Sequence, residues 1–304
     1  MRILITGGAG FIASGIVDAM LDAGHSVAII DDLSTGRHAN LNPGARLYEC
    51  SVTDLDAVKQ VFERERPQIV NHHAAQIDVR RSMEDPAADA AINVVGSVNL
   101  LSLAVRYTVA RFIFASTSAV YSEPAYLPMD ESHPVGPRSA YGASKYSAEN
   151  FVIFFADVHG LRYKIFRYGN VYGPRQDPKG ESGVVAIFAG QLLDGTQPTI
   201  FGDGKKTRDY VFVQDIVNAN LMAIGEQGDN ETYNLSRGIA VSDIEIFDAV
   251  RAATGVRTEP QYAARRPGEA DSVCLDISKA QRLLGWAPNV PLDEGIAQAV
   301  AYHR

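Results

Sequence analysis

The sequence predicts an α/β fold with a doubly wound parallel sheet and a smaller α/β lobe interwoven with it. Short, continuously apolar segments alternate with stretches of helical length through the first 167 residues, which is the pattern of a parallel sheet covered on both faces. A glycine-rich turn follows the first apolar segment directly. After Arg167 the alternation gives way to a stretch rich in glycine, proline and charge, which is typical of a loop and marks the start of the second lobe.

The composition is that of an ordinary globular protein, with 46% hydrophobic and 21% charged residues in a chain of 304. The formal net charge of -8 leaves no excess of basic residues for binding the phosphate backbone of nucleic acid. Cys50 and Cys274 are the only cysteines, and two such distant thiols form neither a disulfide framework nor a metal site. Residues 1–6 are too short for a signal peptide, and no stretch approaches the roughly 20 apolar residues of a membrane span. We therefore expect a cytoplasmic protein without a nucleic-acid, membrane or metal partner.

The first elements enclose a dinucleotide-binding fingerprint. Strands are predicted at Arg2–Thr6 and at residues 27–31, with an apolar helix between them. Before this helix lies the pattern GxGxxA at residues 8–13, in which glycine permits a tight turn and lets a pyrophosphate approach the helix N-terminus. Asp31 ends the second strand, where a carboxylate accepts from a ribose 2′-hydroxyl and repels a 2′-phosphate. The fingerprint therefore predicts NAD rather than NADP, and a Rossmann domain.

The alternation continues to residue 167 and then changes. We predict strands at residues 46–50, 69–72, 112–116 and 163–167, and helices at 54–66, 86–107 and 141–160. In the second part we predict a helix near 184–193, a strand at 199–201, a helix at 215–226, a last sheet strand at 232–235 and short final helices. Accordingly, residues 1–167 and 213–235 should form the NAD-binding Rossmann domain, and residues 168–212 and 236–304 the second lobe.

An acid–base pair is predicted in the helix that begins near residue 141. Tyr141 and Lys145 are four residues apart and therefore share one helical face. A lysine cation beside a phenol favours the phenolate and should lower the pKa of Tyr141 from about 10 toward neutrality, so that it can accept and return a proton. Thr117 lies at the end of the predicted strand 112–116, at the sheet edge where ligands bind. Taken alone, these features also fit an exposed tyrosine and lysine and a strand end capped by its own hydroxyls.

The motifs together resemble those of the extended short-chain dehydrogenase/reductases, in particular the nucleotide-sugar 4-epimerases. The resemblance covers essentially the whole chain and involves TGGAGFI at 6–12, DDLSTG at 31–36, HAA at 73–75, STSAVY at 116–121, YGASK at 141–145, RYGNVYGPR at 167–175, GDG at 202–204, TRDY at 207–210 and RPGE at 266–269. It implies a tightly held NAD, a nucleotide-diphospho-sugar substrate, a second lobe that binds this sugar, and a homodimer.

The resemblance also implies roles for individual residues. Cofactor binding is expected at Gly7, Gly10, Phe11, Ile12, Asp31, Asp32, Ser34, Thr35, Gly36, Ser51, Val52, His73, Ala74, Ala75, Asn93, Tyr141, Lys145 and Tyr168. Substrate binding is expected at Thr117, Ser118, Tyr141, Asn170, Arg208, Arg266, Glu269 and Val273. Among these, Tyr141 is the expected acid/base, Lys145 holds the nicotinamide ribose and Thr117 contacts the sugar O4. Arg208 and Arg266 are the expected diphosphate clamp, since guanidinium groups bind phosphate in a bidentate fashion.

The chain departs from the family pattern at two cofactor positions. Ala13 stands where a third glycine is common, and Ser51 stands where an acid commonly contacts adenine. We expect both changes to weaken NAD binding without changing the chemistry. His72 and His73 are expected to be wall residues near the cofactor.

The activity implied by the resemblance is interconversion of UDP-glucose and UDP-galactose through a transient 4-keto sugar. Enzymes that eliminate water from such an intermediate need an acid after the strand-end threonine, whereas Ser118 and Ala119 stand here. The open alternatives are a 4-epimerase of UDP-N-acetylglucosamine or UDP-glucuronate and, more remotely, a catalytically idle NAD-binding regulator. In the resembling epimerases the position of Val273 holds either tyrosine or a small residue, and valine should leave room for an acetamido group.

A homodimer is also expected from the apolar residues of two helices. The helices near 86–107 and 139–158 carry more apolar side chains than one sheet face can cover, among them Leu100, Leu101, Leu103, Phe151, Phe154 and Phe155. Two copies of this helix pair would bury the surplus as a four-helix bundle about a two-fold axis.

Overall fold

The computed structural model describes residues 1–178, 183–265 and 270–304. The described residues divide into two compact units. The first contains residues 1–122, 135–167 and 217–233, and the second contains residues 123–134, 168–216 and 234–304. The assignment of cofactor binding to one part of the chain and sugar binding to the other stays a prediction.

The first unit is built around a seven-stranded sheet. Its elements are β1 (Arg2–Thr6), α1 (Phe11–Asp22), β2 (Ser26–Asp31), β3 (Arg46–Glu49), α2 (Leu55–Glu65), β4 (Ile69–His72), α3 (Val79–Glu84), α4 (Pro86–Ala90), α5 (Gly96–Arg106), β5 (Arg111–Thr117), α6 (Ala140–His159) and β6 (Arg162–Tyr168). The sheet order is β10-β6-β5-β4-β1-β2-β3, where β10 is Glu231–Leu235. The predicted doubly wound sheet is confirmed, and the predicted strands agree with the observed ones to within one or two residues.

The strand order reverses between β1 and β4, and this reversal positions the candidate site. Both strands run parallel to each other, with Thr6 opposite His72 at their carboxyl ends. In open α/β sheets, ligands bind outside the carboxyl ends of the strands at such a switch point. The central strands read as continuous apolar runs because they are buried on both faces; Leu4, Ile5 and Val70 are fully buried.

One long helix crosses a face of this sheet. It is continuous over Pro86–Arg106 and joins α4 to α5 through a π turn at Ala91–Val95. By length and composition alone it is apolar enough to cross a membrane, so the prediction that no stretch approaches a span is wrong. The α5 part of the helix packs into the core of the unit, and Leu100, Leu101 and Leu103 are buried there.

That packing also shows that part of the prediction of surplus apolar side chains on these helices is wrong. Leu100, Leu101, Leu103 and Phe155 belong to the core of the first unit. They are therefore not available to a partner chain. Phe151 and Phe154 of α6 are exposed, as predicted.

The second unit has its own small sheets and its own core. Its elements are β7 (Asn170–Tyr172), α7 (Val184–Leu193), β8 (Thr199–Phe201), β9 (Thr207–Phe212), β11 (Ala240–Ser242), α9 (Asp243–Thr254), β12 (Gln261–Ala263), a π turn at Ala280–Leu284 and α10 (Leu292–His303). The helix α8 (Val213–Met222) joins the two units in sequence. One sheet has the order β11-β9-β7 and the other pairs β12 with β8. The sequence predicted β8 but not the other four strands of these sheets, because three of them are only three residues long and therefore too short for a clear period.

Candidate active site

The glycine-rich turn after β1 approaches the neighbouring backbone too closely for side chains. Gly7 has a φ of +73°, and a Cβ on it would lie 2.8 Å from the backbone nitrogen of Ala74. Gly10 is the N-cap of α1 and makes no side-chain cap, and the first turn of α1 contains no acid. The first backbone N–H groups of α1, for which the helix itself provides no acceptor, are therefore suited to a pyrophosphate, which is the donor set that NAD requires. Ala13 is 2% exposed in α1, so a small residue suffices at this position.

Asp31 holds the glycine turn and the loop after β2 together. Its Oδ2 accepts a hydrogen bond from the Ala9 N–H at 2.9 Å, and its Oδ1 accepts one from the Leu33 N–H, also at 2.9 Å. A Cβ on Gly36 would lie 2.8 Å from Asp31 Oδ1, which explains the glycine at that position. Because each carboxylate oxygen can accept a second hydrogen bond, Asp31 can also accept from a ribose hydroxyl.

Most of the other predicted cofactor residues of the first unit lie at the start of α1 or in the loops that follow β2, β3 and β4. Asp32 accepts hydrogen bonds from both the N–H and the hydroxyl of Ser34, and the Ser51 hydroxyl pairs with that of Thr53 at 2.9 Å. Phe11 and Ile12 open α1, Thr35 is exposed, Val52 is buried, and His73, Ala74 and Ala75 follow β4. The structure thus brings these residues to one edge of the sheet, where the strands end.

A chain of hydrogen bonds with defined direction runs beneath the glycine turn. Thr6 Oγ1 accepts from the N–H groups of His73 and Ala74, at 3.1 and 3.0 Å, so its own proton is donated to His72 Nδ1 at 2.7 Å. The His72 Nε2–H then lies 2.9 Å from Ser97 Oγ. Burial lowers the pKa of His72 well below its usual value, in accord with a neutral ring. His72 is thus a structural residue between the loop after β4 and α5, and its place near the cofactor stays a prediction.

Tyr141 is held in the first turn of α6 by contacts that the sequence analysis did not identify. Its backbone N–H donates to Ser82 Oγ at 3.0 Å, and the Gly142 N–H donates to Ser139 Oγ at 3.1 Å. Both N–H groups lack partners within the helix, so a remote serine and the N-cap serine satisfy them. A Cβ on Gly142 would overlap the carbonyl oxygen of Ala119, and glycine therefore lets α6 approach the end of β5.

The side chains of Tyr141 and Thr117 lie close enough to interact. The Thr117 hydroxyl favours the phenolate form of Tyr141, and Thr117 Oγ1 accepts a hydrogen bond from the Ala119 N–H at 3.1 Å. The pKa of Tyr141 nevertheless lies in the direction opposite to the sequence prediction. Burial raises it to about 12, which outweighs the effect of Thr117. The protein's own groups thus keep this phenol protonated, because desolvation of the phenolate is the larger effect.

Lys145 is buried one helical turn after Tyr141. It is 3% exposed, and its ammonium lies 4.3 Å from the centre of the Phe114 ring. Burial lowers the pKa of Lys145 to about 8, and the carboxylates of Glu149 and Asp89 oppose this shift. A lysine in these surroundings titrates close to neutral pH, as catalytic lysines often do.

A buried ion pair connects α6 and β5, the two elements that carry the predicted catalytic residues, to β6. Glu149 of α6 and Arg167 of β6 form a two-pronged pair, with Arg167 Nη2 at 2.7 Å and Nε at 3.0 Å from the carboxylate oxygens. The hydroxyl of Ser116, next to Thr117 on β5, also donates to Glu149. No role was predicted for Glu149 from the sequence. Its position one helical turn after Lys145 is a signal from which a role could have been predicted.

Asn93 was predicted to bind the cofactor, and its amide is engaged within the protein. Its Oδ1 accepts from the Gln76 N–H at 2.9 Å, and its Nδ2 lies 3.0 Å from the Gln76 carbonyl oxygen and 3.0 Å from Ser144 Oγ. A contact of Asn93 with the cofactor stays a prediction. Ser118, predicted to bind substrate, follows Thr117 at the end of β5 and is partly buried.

The other predicted substrate residues that the structure describes lie in the second unit. The Thr207 carbonyl oxygen accepts from Arg208 Nη1 at 2.7 Å and from the Val273 N–H at 3.2 Å, so these two residues lie on adjacent segments. Asn170 starts β7 and pairs with Tyr210 of β9. Tyr168, predicted to contact the cofactor, is buried. Arg266 and Glu269 lie outside the described residues.

Comparison with known proteins identifies relatives over the whole chain. Residues 3–236 match the NAD dependent epimerase/dehydratase family. The chain is 41% identical over 310 residues to a UDP-glucose 4-epimerase of Mycolicibacterium smegmatis, with 100% of this chain and 99% of that protein covered.

Two solved structures are also similar. A UDP-glucose 4-epimerase of Thermotoga maritima, solved with UDP-glucose, has a TM-score of 0.97 and 45% identity, and the match covers 99% of this chain and 98% of that one. A UDP-glucose 4-epimerase of Thermus thermophilus, in complex with NAD, has a TM-score of 0.94 and 40% identity, with 100% and 99% covered.

Proposed function

Because the chain belongs to the NAD-dependent epimerase/dehydratase family, we propose that it is a 4-epimerase that interconverts UDP-glucose and UDP-galactose. The family match confirms the family and the cofactor predicted from the sequence motifs. The observation that carries the proposal is the interaction of the Thr117 hydroxyl with Tyr141, which favours the phenolate, with Lys145 buried one helical turn away. A hydroxyl, a phenol and an ammonium placed in this way can orient a sugar hydroxyl and move its proton.

The residues of the glycine turn would hold NAD. The backbone N–H groups at the start of α1 are suited to its pyrophosphate, and Asp31 to a ribose hydroxyl. Bound NAD would supply the hydride acceptor and donor that reversible oxidation at C4 of the sugar requires.

Tyr141 and Thr117 move the proton in this reaction. Tyr141, as phenolate, takes the O4 proton while Thr117 donates a hydrogen bond, and Tyr141 returns the proton after the 4-keto sugar has turned over. Lys145 supports the phenolate with its positive charge. Arg208 and Arg266 anchor the diphosphate, so that the sugar can rotate without leaving.

The test is to incubate the protein and NAD with UDP-galactose and to identify the products by NMR. We expect UDP-glucose to form, and we expect Tyr141→Phe to lose about 10²–10⁴-fold in turnover while NAD stays bound. A Tyr141→Phe variant with the rate of the wild type would contradict the assignment of Tyr141.

The same assay separates the alternatives. UDP-N-acetylgalactosamine and UDP-glucuronate belong to the panel, because a 4-epimerase of either sugar would use the same three residues. An idle NAD-binding regulator would convert none of these sugars. The proton-transfer residues Thr117, Tyr141 and Lys145 are all present, which favours an enzyme.

We also infer that the protein is a homodimer that works in the cytoplasm. Phe151, Phe154 and Val158 of α6 are 39%, 49% and 58% exposed. Their spacing of three and four residues places them on one face of the helix, so a second copy of α6 can cover them. Cys50 and Cys274 are both free thiols, which suits a reducing compartment.

A further inference from the structure

Asp89 is a buried carboxylate to which the proposed mechanism gives no role. It lies in α4, just before the π turn, and is 1% exposed. Its Oδ1 accepts hydrogen bonds from the side-chain amides of Gln76, at 2.8 Å, and Asn93, at 3.2 Å. Its Oδ2 accepts one from the Ser144 hydroxyl at 2.5 Å. All three partners are neutral and buried, so dipoles rather than a cation hold this carboxylate.

The three partners lie on different segments of the candidate site. Gln76 belongs to the loop after β4, and Asn93 lies in the π turn. Ser144 lies in the first turns of α6, and its Oγ is 3.0 Å from the carbonyl oxygen of Tyr141. The hydrogen bonds to Asp89 therefore fix the start of α6 against the loop that follows β4.

We propose that Asp89 is a positioning residue of the 4-epimerase, which aligns the Tyr141 turn of α6 and provides a buried counter-charge for Lys145. The inference rests on the proposed function, because it concerns the same Tyr141 and Lys145. Asp89 acts through Ser144 and through its charge, without touching the substrate.

The charge of Asp89 acts on both functional groups in the same direction. It opposes the lowering of the Lys145 pKa by burial, and it adds to the raising of the Tyr141 pKa by burial. A negative charge favours the protonated form of any neighbouring group. Removal of the charge should therefore lower the pKa of both groups.

The other titratable groups around Lys145 are already neutral or paired. Burial lowers the pKa of His72, and it lowers that of His73 to about 3, so both rings of the β4 region are neutral. Glu149, on the same helix as Lys145, is paired with Arg167 of β6 at 2.7 Å. Asp89 differs from Glu149 because its hydrogen-bond partners among the described residues are all neutral.

The test is Asp89→Asn, which removes the charge and keeps the shape. The new amide can donate to Ser144 Oγ while its oxygen accepts from Gln76 and Asn93. Asp85→Asn is the matched control, because it removes the same charge from the same helix at an exposed position, and asparagine caps a helix as well as aspartate does.

We expect kcat of Asp89→Asn to fall about tenfold, with KM for UDP-galactose changed less than about threefold. Both limbs of the pH profile of kcat should move to lower pH, by about one unit. Asp85→Asn should show neither change. A pH profile of Asp89→Asn that coincides with that of the wild type would overturn the proposal.

A measurement without turnover separates this inference from the proposed function. The NMR signal of the Lys145 side chain, assigned by its loss in Lys145→Met, gives the pKa of Lys145 directly. We expect a lower pKa in Asp89→Asn than in the wild type or Asp85→Asn. If the wild type epimerises no sugar, the proposed function fails while this titration still tests Asp89; an unchanged Lys145 pKa would refute the counter-charge in either case.

Should Asp89→Asn not fold, as judged by circular dichroism, Ser144→Ala carries the test. It deletes the hydrogen bond to Asp89 Oδ2 and keeps the charge. We expect kcat to fall with both limbs of the pH profile unmoved. Turnover equal to that of the wild type would show that Asp89 does not position α6 through Ser144.

Discussion

The hydroxyl of Thr117 interacts with Tyr141 so as to favour its phenolate and accepts a hydrogen bond of 3.1 Å from the Ala119 N–H. Because the Ala119 N–H uses only an acceptor position, Thr117 can still donate its proton to the Tyr141 oxygen. This arrangement lowers the energy of the phenolate that the proposed reaction needs. Thr117→Val keeps the shape and removes the hydroxyl, and we expect its kcat to fall about 10²-fold. Thr117→Ser keeps the hydroxyl and should stay within about tenfold of the wild type, so equal losses in both variants would exclude a role for this hydrogen bond.

The second prediction concerns the protonation of Tyr141 with and without its cofactor. Burial raises the pKa of Tyr141 to about 12, so in the cofactor-free protein this phenol should stay protonated up to about pH 10. The positive nicotinamide ring of NAD should favour the phenolate and lower the pKa. Phenolate absorbance, recorded against Tyr141→Phe, measures the difference. We expect the wild type and the variant to titrate alike below pH 10 without NAD and differently with it.

The buried pair of Glu149 and Arg167 should be essential for stability. Glu149→Gln leaves a buried guanidinium without its counter-charge, and we expect a loss of about 3–5 kcal/mol in the free energy of unfolding. Lys59→Gln, which breaks the exposed pair of Lys59 and Glu63 on α2, should cost about 0.5 kcal/mol or less. Urea denaturation measures both, and similar losses in the two variants would contradict the prediction.

The exposed face of α6 predicts the state of association. Phe154→Glu places a charge among the exposed Phe151 and Val158, and we expect it to convert a dimer into a monomer at micromolar concentration, measured by analytical ultracentrifugation. Tyr302→Glu is the control, because Tyr302 is equally exposed but lies on α10 of the second unit. A wild type that sediments as a monomer would disprove the predicted dimer.

The last prediction concerns the breadth of substrates. If Val273 leaves room beside the sugar C2, the wild type should convert UDP-N-acetylgalactosamine as well as UDP-galactose. Val273→Tyr should then lose the acetylated sugar selectively, whereas Val273→Ala should keep both. The measurement is kcat/KM for each sugar. A tyrosine variant that handles the acetylated sugar as well as the wild type does would show that Val273 is not the gate.

The parts of the site that depend on residues close together in the sequence could be predicted from short sequence patterns. The glycine turn, Asp31 and the Tyr141–Lys145 pair each reflect a requirement of the backbone or of a single helix turn, and these can be recognised in the sequence. The strands of the large sheet were also predictable, because burial on both faces makes each a short apolar run.

The missed features depend on contacts between distant residues. Ser82 meets Tyr141 across 59 positions, and Asp89 meets Ser144 across 55, so no local pattern links either pair. The direction of the Tyr141 pKa was wrong for the same reason. The charge of Lys145 on the same helix face can be inferred from the sequence. The desolvation that the surrounding residues impose on Tyr141 cannot.

The π turn at Ala91–Val95 also determines how this helix can vary in length. A π turn holds one residue more than a regular α-helical turn, and the helix takes up the extra residue by widening locally. Deleting one residue of the turn should therefore restore α-helical hydrogen bonding while Asp89 keeps nearly its present orientation relative to α5. An insertion or deletion in the regular parts of the helix would instead turn the flanking residues by about 100° and move Asp89 away from Ser144.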